Sequence, residues 1–213
     1  MAVGFLIILV IILAVVLLAR RPDPVQGARI LKRIGFGVVA FITALFGLFL
    51  AGETFTDPGG WKAIGLIAAW AIPLAALAAL AWYRPGWAAR LFAVLVAAVI
   101  GLSGWFAADP QGWRAVEDQH GPIRAIISFV LAAAVAPLGL KRTAQAGVLL
   151  LVLGVVPVVV SSLGSQLGFP SLAVVSSAPL IAGVLYLCSA AVARRGVPPD
   201  GAHAGADRRP KAA

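Results

Sequence analysis

Long stretches without a charged residue constrain this chain more than any other feature. Five of these stretches have the length of a single helix, and they are residues 1–19, 34–52, 63–83, 91–108 and 125–140. A sixth stretch, residues 143–193, is long enough for two helices joined by a turn. Because an α-helix needs about 20 apolar residues to cross the hydrocarbon core of a bilayer, the pattern predicts seven transmembrane helices.

The composition agrees with a membrane protein. Of the 213 residues, 62% are hydrophobic and 12% are charged, whereas soluble domains have about 45–50% apolar and about 25% charged residues. This excludes a soluble globular domain, and it also excludes a disordered chain, which needs low hydrophobicity. The apolar stretches do not alternate with period two as the strands of a membrane barrel do. We therefore predict an all-α integral membrane helical bundle.

The positions of Lys and Arg predict the orientation of this bundle. With the N-terminus outside and the C-terminus inside, the inner segments hold 14 basic and three acidic residues, and the outer segments hold three basic and five acidic residues. Basic residues of short loops stay on the cytoplasmic side of the membrane. The residues that set this topology are Arg20, Arg21, Arg33, Arg84, Lys141, Arg142, Arg194 and Arg195.

The formal charge of +9 is thus explained by topology and not by nucleic-acid binding. No nucleic-acid motif or aromatic platform accompanies the basic residues. Clusters of basic residues beside a membrane attract anionic lipids. The predicted partners are therefore the bilayer and anionic lipids at its inner face, with a homo-oligomer or another membrane protein as a further possibility.

The chain divides into four predicted segments. Residues 1–19 form an N-out first transmembrane helix, which lacks the basic start and the cleavage site of a signal peptide. Residues 20–33 form a basic cytoplasmic loop, and residues 34–193 form a six-helix transmembrane core. Residues 194–213 form a basic cytoplasmic tail, whose content of Pro, Gly and Arg predicts disorder.

Aromatic residues fall near the predicted ends of the spans. Trp and Tyr are enriched where a membrane meets water, because their rings are amphipathic. The predicted interface anchors are Trp61, Trp82, Tyr83, Trp105 and Trp113. Trp70 differs because it lies in the middle of a span, where its indole N–H needs a hydrogen-bond partner.

Two predicted outer loops share the pattern D-P-x-G-W-[KR]-A, at residues 57–63 and 109–115. One interpretation is a duplicated two-helix unit, since some transporters contain parallel repeats. The other interpretation is ordinary turn chemistry followed by an interfacial Trp and a basic residue. The flanking helices align poorly and favour the second interpretation.

The polar chemistry of the chain is concentrated in the predicted outer loops. No predicted span holds an ionisable residue in its interior, which argues against a proton-coupled pump. Carboxylates and a Glu-x-x-His pattern suggest a divalent-metal site or an outer-face enzyme built from Glu53, Glu117, Asp118 and His120. A solvated loop is the simpler interpretation. We therefore predict no catalytic residue, no metal and no cofactor.

Small residues within the spans predict close helix packing. In lipid, helices associate through van der Waals contacts and hydrogen bonds, and Gly lets two backbones approach each other. The glycines concerned include Gly101, Gly104, Gly147, Gly154 and Gly183. This pattern favours a structural role, with self-association or binding to another membrane protein.

Several short segments carry a resemblance to known sequences. They are residues 31–34, 44–49, 52–53, 72–73, 81–85 and 179–186. The chain resembles, over about residues 29–192, a family of small bacterial multi-pass membrane proteins described as a domain of unknown function. The resemblance implies a membrane fold without an assigned activity, and Glu53, Pro73 and Trp82 are its characteristic positions.

The sequence thus predicts a non-catalytic multi-pass membrane protein with a structural or partner-binding role. The alternative is a small transporter or channel for a neutral or apolar solute, and an outer-face metal site or enzyme comes third. Arg outnumbers Lys by 13 to 4, and Ala, Gly and Pro are abundant. This bias indicates the cytoplasmic membrane of a bacterium with a GC-rich genome.

Overall fold

The computed structural model of the chain describes residues 24–56, 60–109, 111, 123–163 and 169–195. These residues form six helices and no strand, which confirms the predicted all-α bundle. The helices are α1 (Pro24–Thr56), α2 (Gly60–Tyr83), α3 (Pro85–Ala108), α4 (Ile123–Lys141), α5 (Thr143–Leu163) and α6 (Phe169–Arg195). The predicted first span and the tail from residue 196 onward lie outside the described residues.

Four of the helices are long and apolar enough to cross a membrane. Their candidate spans are Val25–Phe49, Gly60–Tyr83, Pro85–Trp105 and Ser176–Arg195. Two shorter apolar segments lie in α4 and α5. These lengths and compositions support a membrane protein.

Helix α1 begins at Pro24, so the second part of the predicted basic loop is helical. The reason is packing, because Ala28 and Leu31 are buried in a cluster with Leu185 and Val192 of α6. A helix can continue beyond the apolar part of its sequence, because its backbone hydrogen bonds are made within the helix.

Single residues separate α2 from α3 and α4 from α5. At the first break, Pro85 disfavours a helical conformation for the residue before it, and Arg84 has φ −130° and ψ 64°. The Arg84 N–H donates to Leu80 O at 2.8 Å, and Ala88 N–H donates to Arg84 O at 3.0 Å. At the second break, the Arg142 N–H likewise donates to a carbonyl of α4, and the Arg142 carbonyl accepts from an N–H of α5. Each pair of helices is therefore joined almost without a loop.

Helix α4 is the centre of the bundle and packs against each of the other five helices. All its residues from 131 to 136 are buried, and four of these six are Ala. Tyr186 of α6 is fully buried against α4, and its hydroxyl donates to Ala136 O at 2.8 Å. Small side chains on α4 let the surrounding helices approach its backbone.

Helices α5 and α6 pack antiparallel through glycine, as predicted for Gly147, Gly154 and Gly183. An ideal Cβ on Gly183 would lie 2.9 Å from Leu151 N and 3.0 Å from Gly147 O. For Gly101 and Gly104 of α3 the prediction of close packing stays a prediction, because none of the described residues lies within 4 Å of an ideal Cβ at either position.

Candidate functional site

Most basic residues of the described chain gather at one end of the bundle, which we call the basic end. Lys32 of α1 contacts the last turn of α4, and Lys141 at the end of α4 contacts the last turn of α2. Near the end of α6, Ser189 contacts Ala28 of α1. The basic end comprises Arg29, Lys32, Arg33, Arg84, Arg90, Lys141, Arg142, Arg194 and Arg195. The described residues place no acidic residue there, since Glu53 and Asp109 belong to the opposite end of α1 and α3.

Two lysines of the basic end bind the carbonyl ends of neighbouring helices. Lys32 Nζ donates to Leu140 O at 3.1 Å. Lys141 Nζ donates to Trp82 O and lies 4.9 Å from the centroid of the Trp82 ring. The last carbonyls of a helix lack intrahelical partners and carry partial negative charge. Each contact therefore satisfies one carbonyl group near the C-terminal end of α2 or α4, and together the contacts join α1, α2 and α4.

A groove of about 680 Å³ lies between α3 and α5 at the basic end. Its α3 wall consists of residues spaced three or four apart, which share one helix face. The groove is lined by Gly86, Ala89, Arg90, Ala93, Arg142, Ala144, Gln145, Val148 and Leu149. Small residues on α3 thus leave space beside two guanidinium groups and one amide.

Local contacts hold both guanidinium groups of the groove. Arg142 Nη1 donates to Gln145 Oε1 at 3.1 Å, and Arg142 Nη2 lies 3.5 Å from an ideal Cβ on Gly86. Arg90 lies over the indole of Trp87, with its Cζ 5.7 Å from the ring centroid. The side chains of Arg90, Arg142 and Gln145 are all exposed. The groove therefore presents two positioned cations to its surroundings.

A smaller groove of about 210 Å³ lies beside α1 and α6 at the same end. Its lining includes Arg29, Lys32 and Ser189. Two of these residues already donate to backbone carbonyls, since Lys32 binds Leu140 O and Ser189 binds Ala28 O at 2.7 Å. Much of its polar lining is thus used within the chain.

The predicted aromatic anchors in the described residues lie near helix ends and are exposed. Trp61 is 87% exposed at the start of α2, and Tyr83 is 77% exposed at its end beside Trp82. From Trp61 to Trp82 the helix rises by about 32 Å, which is close to the thickness of a hydrocarbon core, about 30 Å. Trp105 is exposed near the end of α3, and Trp113 lies outside the described residues. Their role as interface anchors stays a prediction.

The predicted outer-face site is mostly outside the described residues, since Glu117, Asp118 and His120 all fall there. Glu53 belongs to the last turns of α1. Within the described part of the chain, no three His, Cys, Asp or Glu residues gather as metal ligands. Two of the topology-setting residues, Arg20 and Arg21, also fall outside it. The metal and enzyme hypotheses stay predictions.

Sequence reasoning missed the groove, although it singled out the indole of Trp70. The signal for the groove was present, because Gly86, Ala89 and Ala93 are small residues on one helical face around Arg90. The indole N–H of Trp70 needs a partner, but its buried Nε1 has no hydrogen-bond partner among the residues that the structure describes. Its ring instead lies against Gly47 of α1.

No protein-family model matches the chain, and no curated protein or solved structure matches it. The resemblance to a family of small bacterial multi-pass proteins therefore stays a prediction. Its three characteristic positions lie at different levels of the helices. Pro73 lies inside α2, Trp82 lies at the basic end of α2, and Glu53 lies near the end of α1. Function has to be inferred from the geometry of the chain itself.

Proposed function

We propose that this chain is a seven-span protein of the cytoplasmic membrane of a GC-rich bacterium, with its N-terminus outside and its C-terminus inside. We further propose a non-catalytic role, in which the bundle packs with copies of itself or with another membrane protein. The observation that carries the topology is the basic end, where nine basic residues lie without an acidic residue among the described ones. Such an excess of Lys and Arg is typical of the cytoplasmic face.

Cysteine labelling tests this topology. In a Cys188→Ser background, we expect an impermeant maleimide to label Ala2→Cys and Gln119→Cys in intact cells. Ala204→Cys should label only after the cells are permeabilised. Labelling of Gln119→Cys but not Ala2→Cys in intact cells would show six spans, and accessible Ala204→Cys would show the opposite orientation.

The observation that supports an assembly role is the open face of α3. Among the described residues, none lies within 4 Å of an ideal Cβ on Gly101 or Gly104, and the neighbouring Ala97 and Ala108 are also exposed. The glycines of α5 and α6 are covered by each other's helix. Since glycine in a membrane helix permits close backbone approach, this face suits a helix from another chain.

Native gel electrophoresis of membranes extracted in mild detergent tests the assembly role. We expect the wild-type chain to migrate in a complex larger than its own 21.9 kDa with bound detergent. The double variant Gly101→Leu/Gly104→Leu should migrate as the single chain, because bulky side chains hold the partner backbone away. Gly37→Leu is the matched control, since it also has open space around its Cβ position but lies on α1. A wild-type chain that already migrates alone would refute the proposal.

A transporter or channel for a neutral solute is the second candidate, and Trp70 is the observation that favours it. An indole N–H in the interior of α2 that has no partner among the described residues offers a donor to a solute that carries a hydrogen-bond acceptor. Flux of small alcohols and polyols into proteoliposomes tests this candidate. Transport that is lost in Trp70→Phe would favour it, whereas leak equal to that of empty liposomes would exclude it for those solutes.

A further inference from the structure

We infer that the groove between α3 and α5 binds an anionic phospholipid of the inner leaflet. Arg90, Arg142 and Gln145 would hold its phosphate, and the apolar floor of the groove would hold the start of an acyl chain. The inference rests on the proposed function, because it requires the basic end to lie at the cytoplasmic interface. It goes further by naming one site and one class of ligand.

The polar groups of the groove match a phosphate. Guanidinium groups form paired, charge-assisted hydrogen bonds with phosphate oxygens, and an amide N–H₂ adds neutral donors. Gln145 accepts from Arg142 through Oε1, which directs its amide oxygen toward the guanidinium. The described part of the chain offers these two arginines no carboxylate at the basic end. An external anion is therefore the complementary partner.

The order of residues along the groove matches the order of groups in a phospholipid. Arg142 lies at the junction of α4 and α5, and Val148 and Leu149 follow one to two turns further along α5. On α3, Ala93 lies seven residues beyond Gly86, a rise of about 10 Å. The charged groups thus lie near the membrane surface, and the apolar lining extends inward along two spans. A free phosphate ion would use only the first part of this surface.

The size and openness of the groove also favour a lipid. Its volume of about 680 Å³ falls within the range of ligand sites, about 300–1,000 Å³. Val148 is 52% exposed although it lines the groove, so an acyl chain can enter sideways from the bilayer. The smaller groove beside α1 lacks this chemistry, since its Lys32 and Ser189 already bind carbonyls.

Lipid binding is tested on the full chain, purified and placed in phosphatidylcholine nanodiscs. Phosphatidylglycerol is titrated in, and bound lipid is counted by native mass spectrometry. We expect phosphatidylglycerol to bind in preference to phosphatidylcholine. Each charge-assisted hydrogen bond to the phosphate contributes about tenfold or more in affinity, so Arg90→Gln/Arg142→Gln should weaken phosphatidylglycerol binding by about 100-fold.

The matched control is Arg194→Gln/Arg195→Gln, which removes the same charge from the same end outside the groove. Neither residue lines the groove, and nanodiscs that are mainly phosphatidylcholine attract basic residues only weakly, so this variant should lose much less affinity than the groove variant. Equal loss in both double variants would show diffuse surface attraction and overturn the inference, as would equal binding of the two lipids by the wild-type chain.

A second variant keeps the charges and fills the apolar floor. Ala93 is exposed on α3, so the Ala93→Trp chain should fold. It should bind phosphatidylglycerol more weakly, whereas the concentration of inorganic phosphate that competes with the lipid headgroup should stay the same. Unchanged lipid binding in this variant, or complete displacement of the lipid by inorganic phosphate alone, would point to a soluble anion and contradict the lipid site. The cysteine-labelling experiment fails or succeeds independently, so a wrong topology is distinguishable from a wrong ligand.

Discussion

Helices α5 and α6 and helices α1 and α2 form two apolar pairs that pack differently. Between α5 and α6, an ideal Cβ on Gly147, Gly154 or Gly183 would come within 2.9 Å or less of the facing leucine. Between α1 and α2, an ideal Cβ on Gly47 would lie 3.0 Å from the rim of the Trp70 ring. Both pairs are apolar, but in lipid hydrophobicity does not drive helices together. The distribution of small residues decides which pair packs backbone against backbone.

Burial shows the same difference. Half of the α6 span is buried inside the bundle, compared with 6% of the α2 span. Helix α2 exposes Trp61, Ile64, Leu66 and Ile72, as expected of a helix that faces lipid. The comparison therefore predicts that equal substitutions have unequal effects in the two regions.

The largest effect is expected for Gly139→Ala, on the tightly packed side. The new methyl group would lie 2.2 Å from Tyr186 Cζ, and the ring is held by its hydroxyl bond to Ala136 O. Neither the ring nor the central helix has space to move, so we expect a loss of about 3 kcal/mol, at the upper end of overpacking costs. Unfolding in mixed detergent with increasing dodecyl sulfate measures this loss. Gly65→Ala is the control, since no described atom lies within 4 Å of an ideal Cβ there, and it should be at least as stable as the wild-type chain because Ala favours a helix over Gly.

A smaller loss is expected for Gly183→Ala, at the contact between α5 and α6. The new methyl group would meet Leu151 N at 2.9 Å and Gly147 O at 3.0 Å. Both neighbours are backbone atoms, so relief requires the helices to separate. We expect a loss of about 2 kcal/mol in the same unfolding measurement. Gly37→Ala adds a methyl group where no described atom lies within 4 Å, and an equal loss there would show that the effect is not one of packing.

The helices and the charged ends were predictable because both depend on local sequence. Uncharged stretches indicate spans, and each of the six described helices covers one predicted span or one half of the longest stretch. At the basic end, α2, α4, α5 and α6 agree with the predicted boundaries within two residues, and α3 begins six residues before its predicted start. Helix α1 is the exception, since it continues to Pro24. Its extension depends on the burial of Leu31 beside Leu185, a contact between residues far apart in the chain.

The centre of the bundle was not predictable for the same reason. The uncharged stretch of α4 is the shortest of all, yet α4 contacts every other described helix. A helix surrounded by protein needs small side chains more than a long apolar length. Likewise, Gly183 and Gly104 are both glycines in apolar helices, and the sequence does not show which of them packs closely. The difference is that Leu151 of a neighbouring helix lies against Gly183. The α3–α5 groove combines residues that follow the junction at Arg84 with residues at and after the junction at Arg142, so it also depends on contacts between distant parts of the chain.

A modest effect is expected for Tyr186→Phe, which keeps the ring but removes one hydrogen bond. The hydroxyl is buried and donates to Ala136 O at 2.8 Å. Hydrogen bonds between membrane helices contribute about 0.6 kcal/mol on average, and buried bonds in soluble proteins contribute about 1 kcal/mol. We expect a loss in this range by detergent unfolding. If Tyr186→Phe lowers the free energy of unfolding more than Gly183→Ala does, then the hydrogen bond contributes more than close packing to the stability of the tightly packed side.

The smallest effect is expected for Gly47→Ala, on the loosely packed side. The new methyl group would lie 3.0 Å from Trp70 Cη2, which is nearly as close as the contact at Gly183. The neighbour differs, however, because Trp70 is a half-buried side chain on a helix that is mostly exposed. The ring can shift by a few tenths of an ångström, and Ala favours a helix over Gly by up to about 1 kcal/mol. We therefore expect a net change within about 0.5 kcal/mol, of either sign.

The double variant Gly47→Ala/Trp70→Phe identifies the cause of that small change. Phe lacks the distant rim of the indole that faces Gly47, so the contact disappears and the helix-forming advantage of Ala remains. We expect Gly47→Ala to stabilise the Trp70→Phe chain more than it stabilises the wild-type chain. If Gly47→Ala instead destabilises both chains as strongly as Gly183→Ala destabilises the wild type, then α1 and α2 pack as tightly as α5 and α6. The contrast between the two pairs would then be wrong.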